Sequence, residues 1–190
     1  MASDILVYRA DTVPVGEDQL PHLELSREIA RRFNFLYAPV FPEPKALEVP
    51  TLVGTDGRKM SKSYGNTIQI ASTEEEVRKS VQSMVTDPAR IRKSDPGHPE
   101  VCTVYSYYKA LAPQLAEVRD TECRNAGIGC VACKKQLADV VVEYLSPMWE
   151  RRNAVEKDPG MVDALLEAGT SQARQVASAT MEQVREAMKI

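Results

Sequence analysis

Histidine is scarce in this chain: 190 residues hold two, His22 and His98. One falls just after a glycine turn and the other between Gly97 and Pro99, so surface or capping duty suits both. Long apolar runs are missing as well, which excludes a bilayer-spanning helix, and residue 1 opens no signal-peptide pattern. Cytoplasm is therefore the expected compartment. Positive charge is not in excess either: 24 Lys and Arg stand against 27 Asp and Glu, a net charge of −3. A general pull on nucleic acid is excluded, and any RNA contact must come from local basic clusters. A hydrophobic share of 43% is enough for a core, and the length suits one large domain or a domain with an appendage.

One segment is unusually dense in charge and hydroxyls. Lys59-Met60-Ser61-Lys62-Ser63 follows Thr55-Asp56-Gly57-Arg58 and precedes Tyr64-Gly65-Asn66. It puts two lysines and two serines between glycines at 57 and 65, an arrangement no packed core needs. A triphosphate does need it. Two ammonium groups can follow charge developing on a pyrophosphate leaving group, and hydroxyls or loop N–H groups can bond its oxygens.

Around that loop the chain changes character. Val13-Pro14-Val15 has the β-branched content of a short buried strand, and Gly16-Glu17-Asp18-Gln19 follows as a tight turn. Pro21 suits the first turn of a helix whose apolar stripe is expected at Leu25, Ile29 and Phe33, with Asp18 as its cap. Strand, turn and helix make one α/β unit with its ligand edge at the carboxyl end of the strand. Past the loop the pattern is helical. Thr73-x-x-Glu76 is a capping box, and Val77, Val81, Met84 and Val85 continue as one apolar face. Three more helices are expected at about 100–118, 134–152 and 159–188, the last started by Asp158-Pro159. Between them runs a proline-punctuated connector with Arg90, Arg92 and Lys93, where RNA backbone contact is the functional alternative to a solvated loop.

All four cysteines, Cys102, Cys123, Cys130 and Cys133, lie in this helical part, spaced C-x20-C-x6-C-x2-C. In a cytosolic protein such thiols point to metal ligation over disulfides, and Gly127 and Gly129 permit a tight knuckle. Spacing alone leaves tetrahedral zinc ahead of an iron–sulfur cluster, since both take soft thiolates.

Lys59-Met60-Ser61-Lys62-Ser63 resembles the signature loop of class I aminoacyl-tRNA synthetases. Val13-Pro14-Val15-Gly16-Glu17-Asp18-Gln19, the upstream Met1-Ala2-x-Asp4-Ile5-Leu6-x-Tyr8, and the closing Ala173-Arg174-Gln175-Val176-Ala177 stretch are similar to the tryptophanyl branch of that family. The tyrosyl branch shares the Gly-x-Asp-Gln turn but not its surroundings. The resemblance covers essentially the whole chain. It implies a partial Rossmann-type α/β nucleotide-binding unit over 1–72, followed by a mainly α-helical, anticodon-binding domain over 73–190 that docks a mate subunit. It implies ATP with magnesium, L-tryptophan and tRNA(Trp) as ligands, a homodimer, and no membrane.

Roles follow residue by residue from that resemblance. Lys59, Lys62 and Ser61 are the implied catalytic groups. Gly16, Glu17, Asp18, Leu52, Met60 and Ser63 join them in holding ATP, with Leu52 at the adenine and Asp18 at the ribose. Asp4 is implied as the acceptor of the indole N–H and Gln19 as the partner of the amino group, with Met1, Val13 and Val15 lining the same pocket. A subset of the family carries a four-iron cluster on a similar cysteine pattern, its first spacer slightly longer, so the resemblance turns the expectation from zinc to a 4Fe-4S cluster. The family's His-x-Gly-His-type phosphate segment has no counterpart in these residues. The expectation is a C-terminal part of such an enzyme, weakly active or inactive alone, with a non-catalytic RNA-binding or dimerisation module as the alternative.

Overall fold

The computed structural model describes residues 1–49 and 51–190; Pro50, which precedes the Thr51-Leu52-Val53 stretch, lies outside the described residues. In chain order the elements are α1 (Ala2–Val7), β1 (Thr12–Val15), α2 (Leu20–Leu36), β2 (Lys45–Glu48), α3 (Glu74–Ser83), α4 (Thr103–Leu111), α5 (Pro113–Arg124), α6 (Cys130–Glu156) and α7 (Pro159–Met188). They fall into two compact units. One takes in the described residues before position 50 together with Asp158–Ile190; the other is Thr51–Lys157.

In the first unit β1 and β2 run parallel, Thr12 opposite Lys45 through to Val15 opposite Glu48. Parallel neighbours need a crossover, and α2 supplies it, giving a β–α–β unit. Ile5, Val15 and Leu23 form its buried centre, with Val13, Leu20 and Ala46 packed around them. The buried face of α2 is Leu23, Ser26 and Ala30, whereas Leu25 and Ile29 of the expected stripe are 52% and 43% exposed. Spacing by three and four selects a face either way. The small pair Ser26 and Ala30 lets the helix axis come close to its neighbours, and Ser26 returns its hydroxyl to the His22 carbonyl at 2.9 Å. Phe33 stays with the aromatic end of the helix, 5.0 Å from both Tyr37 and Phe41. Asp18 is not the cap of α2: Glu17–Gln19 forms a 3₁₀ turn, and Gln19 becomes the N-cap residue.

The second unit is built on Val77, Val81 and Met84, on Val104, Tyr107 and Tyr108 of α4, and on Leu137, Ala138, Val141 and Leu145 of α6. Thr73 and Glu76 make the expected reciprocal capping box on α3. Helix α3 ends at Ser83, so Val85 leaves the apolar face and is exposed; its N–H is tied to the Thr55 carbonyl at 2.8 Å. The single helix expected over 100–118 is two, because Pro113 has no N–H to continue α4 and instead opens α5. Helix α6 begins at Cys130, earlier than its apolar period indicates, and α7 starts where Asp158 accepts from the Met161 N–H.

Asp87 locks the connector to this core. Its buried carboxylate accepts from the His98 N–H at 2.9 Å, His98 Nδ1 at 2.8 Å and the Ala89 N–H at 2.8 Å. Burial pushes this carboxyl up, but those donors outweigh it and hold it below the usual aspartate value. Asp87→Ala should therefore cost about 2–3 kcal/mol at neutral pH by chemical denaturation. A depressed folded pKa stabilises above the unfolded value of about 4, so the difference from wild type should shrink as pH falls below it.

Candidate active site and thiol cluster

The first unit carries Met1, Asp4, Val13, Val15, Gly16, Glu17, Asp18 and Gln19. Asp4 sits in the first turn of α1, its side chain 83% exposed and 3.1 Å from the Met1 α-amino group. Val15 is core and Val13 is packed against it. Gly16 is extended at the end of β1, its carbonyl taking the Gln19 N–H at 2.9 Å, and Gln19 Nε2 donates to Asp18 Oδ2 at 3.0 Å. This unit thus presents Glu17, Asp18 and Gln19 on one short turn at the carboxyl end of a parallel strand, the edge where open α/β sheets take their ligands.

The second unit carries the lysine loop. Val53 and Lys59 form an antiparallel bridge around the Asp56-Gly57 turn, where Gly57 takes a φ of +82°. The extended segment then alternates. Met60 and, upstream, Leu52 pack on the helical core, while Lys59 and Lys62 stay at the surface. A 3₁₀ turn, Lys62–Tyr64, closes at Gly65 with a φ of +64°. Ser61 and Ser63 share a hydroxyl hydrogen bond of 2.7 Å. The base of the loop is pinned to the helices: Tyr107 donates to the Val53 carbonyl at 2.9 Å and Trp149 Nε1 to the Ile70 carbonyl at 2.8 Å.

Asn66 occupies the centre of this loop, buried with only 3% of its surface exposed. Its Oδ1 accepts from the Ser61 N–H at 2.8 Å; its Nδ2 donates to Asp56 Oδ1 at 2.8 Å and to the Lys59 carbonyl at 3.2 Å. Asp56 also accepts from Arg58, whose guanidinium lies 4.5 Å from the Tyr64 ring centre. The Asn66 donor, reinforced by Arg58, holds the Asp56 carboxyl down at about 2.

The four thiols gather at helix ends: Cys102 at the N-cap of α4, Cys123 in the last turn of α5, Cys130 and Cys133 in the first turn of α6. One nitrogen of Arg90, Nη1, reaches Cys123 Sγ at 3.7 Å and Cys130 Sγ at 4.0 Å. Its Nη2 donates to the Lys93 and Ile128 carbonyls, at 2.8 Å each. A Cβ on Gly97 would stand 2.5 Å from Cys123 Sγ, so glycine is what admits that sulfur. Burial raises the Cys102, Cys123 and Cys133 thiols, Cys133 to about 12, and thiolate charge on its three companions pushes Cys133 the same way. Left alone, these thiols keep their protons; thiolates here need a cation to hold them. Among the described residues no group of three or more His, Cys, Asp and Glu converges as the ligands of one metal ion. Arg90 faces two of the four sulfurs, those of Cys123 and Cys130. Beside the thiols lies a cavity of about 580 Å³ lined by Arg90, Arg92, Lys93 and Lys135 together with Ile91 and Ile128.

Sequence reasoning singled out the lysines and thiols. It passed over Asn66 and Asp56 as mere flanks of the motif and left Arg90 in a basic connector. No local pattern marks them, because each acts on groups brought near by folding.

A lysine-bearing loop on a helical core, with a parallel β–α–β unit elsewhere in the chain, is in keeping with a class I aminoacyl-tRNA synthetase. The family described as tRNA synthetases class I (W and Y) matches residues 1–146, and the chain belongs to it. It is 52% identical to the tryptophan–tRNA ligase of Thermotoga maritima, over all of this chain and 59% of that protein. The structure of tryptophanyl-tRNA synthetase from Campylobacter jejuni, complexed with ADP and tryptophan, superposes with a TM-score of 0.75 at 34% identity, covering all of this chain and 60% of that one. Tyrosyl-tRNA synthetase from Aeropyrum pernix is more distant, with a TM-score of 0.62 at 19% identity, and shows the fold alone. The chain spans about three fifths of the length of these two tryptophan-specific relatives. Among the described residues no helix is long and apolar enough to cross a membrane.

Proposed function

We propose that this chain belongs to a tryptophan–tRNA ligase, which activates L-tryptophan with ATP and transfers it to tRNA(Trp). The observation that carries this is the lysine loop, set in a chain 52% identical throughout to a tryptophan–tRNA ligase. In the first step a tryptophan carboxylate oxygen attacks the α-phosphorus, and the bond to pyrophosphate breaks. No side-chain nucleophile is needed; the work is positioning and charge stabilisation. Lys59 and Lys62 neutralise the departing pyrophosphate with magnesium, and Ser61 and Ser63 offer hydroxyls to its oxygens. Met60 anchors the loop, Leu52 meets adenine, and Gly16, Glu17 and Asp18 meet the ribose. Asp4 accepts from the indole N–H and Gln19 holds the amino group, with Met1, Val13 and Val15 around them. Residues 1–72 form the catalytic part, and 73–190 the tRNA-binding part.

The four cysteines would hold a 4Fe-4S cluster, which when bound cross-links the ends of α4, α5 and α6; zinc is the other occupant to test. The cationic cavity beside them suits the phosphates and bases of RNA. Exposed Met161, Val162, Leu165 and Leu166 on α7 offer an apolar surface for a homodimer.

Tryptophan-dependent ATP–pyrophosphate exchange tests the activity, with tyrosine as the control. These 190 residues lack a His-x-Gly-His-type phosphate segment, so exchange by this chain alone should be close to background. Robust exchange would mean that the lysine loop suffices. Exchange restored with tyrosine and not tryptophan would overturn the specificity. RNA binding with no ATP binding would favour a non-catalytic module, for which the separate core of the second unit speaks.

A further inference from the structure

We propose that Asn66 is the positioning residue that sets the distance and direction of Lys59 and Lys62 in the phosphate loop. This rests on assigning Lys59–Ser63 to phosphate binding. A carboxamide has one acceptor oxygen and two N–H donors, and here all are used within the loop. The oxygen accepts from the Ser61 N–H, between the lysines, and the nitrogen donates to the Lys59 carbonyl and the Asp56 carboxylate. One buried side chain therefore grips the segment between the two ammonium groups at both ends. Its backbone carbonyl also accepts from the Thr55 N–H at 2.9 Å, tying the exit of the loop to its entry.

Gly54 points to the same role independently. A Cβ there would lie 2.4 Å from Asn66 Nδ2 and 2.8 Å from the Asn66 carbonyl oxygen, so the chain leaves room for this carboxamide and nothing larger. Aspartate has the same shape but no donor, and at position 66 it would face Asp56 with a second carboxylate. Alanine removes all three bonds without adding charge. A loop tethered in this way loses less entropy when it closes on a triphosphate, so losing the tether should weaken phosphate binding without touching any group that contacts phosphate.

The test is hydrogen exchange by mass spectrometry on the full chain, with and without magnesium–ATP, together with ATP affinity by equilibrium dialysis. In the wild-type chain magnesium–ATP should slow exchange of the peptide spanning 55–66. Asn66→Ala should speed that peptide about tenfold and weaken ATP about tenfold, while peptides of α4 and α6 exchange as before. Asn66→Asp should be at least as severe. An Asn66→Asp chain that behaves like wild type would show that shape alone matters and overturn the proposal. So would faster exchange spread evenly over the helical core, which marks a merely structural loss. No effect of magnesium–ATP on the wild-type loop would overturn the phosphate role itself, whatever the variants do.

Discussion

Cys130→Ser is expected to convert a brown protein into a colourless one. Purified without oxygen, the wild-type chain should absorb broadly near ~400 nm and carry about four irons, as four thiolates on a cubane require. Cys130 opens α6 and shares Arg90 Nη1 with Cys123, so its sulfur links the start of one helix to the end of another. Serine offers a harder oxygen in place of a soft thiolate, so the site would lose one of its four matched ligands. Metal content should fall below one iron per chain, and the melting temperature should drop by several degrees, because a metal held only by the folded chain would add to its folding free energy. The β–α–β unit, whose core is Ile5, Val15 and Leu23, has no share in that loss. A colourless wild-type chain with about one zinc would assign zinc instead. Four thiols that react freely with a thiol reagent in the native protein would remove the metal site altogether.

Lys59→Ala and Lys62→Ala should each weaken magnesium–ATP about tenfold to a hundredfold by equilibrium dialysis, the double variant more than either. Both side chains stand at the surface of a segment whose Met60 is fixed in the core, so alanine removes charge without disturbing packing. The melting temperature of Lys62→Ala should accordingly stay within a degree or two. Raising salt should narrow the gap between wild type and variants, since exposed charges are screened. Affinity that stays level in both variants would remove the lysines from the phosphate site.

Much of this was legible in local spacing. Thr73 and Glu76 announce a helix start because a capping box closes within four residues, and Asp158-Pro159 does the same for α7. The lysine loop is legible for a similar reason: its charges, hydroxyls and glycines are contiguous. Where spacing misleads, the cause is competition between faces or between neighbours. Leu25 and Ile29 are larger than Ser26 and Ala30, yet the smaller pair is buried, since close approach of α2 mattered more than side-chain size. Pro113 splits a continuous apolar period because a missing N–H outweighs hydrophobic pattern.

The sequence by itself determined the family and singled out the two lysines and the four thiols as candidates, since identity of residue and interval along the chain suffices to mark each. Only the tertiary structure decided what holds them. Asn66 reaches Asp56 across ten positions, Arg90 reaches Cys123 and Cys130 across 33 and 40, and Tyr107 reaches Val53 across 54. Contacts over such separations are set by how loops and helices pack, because only packing brings those donors within 2.8 to 4.0 Å of their acceptors and keeps water out of the way.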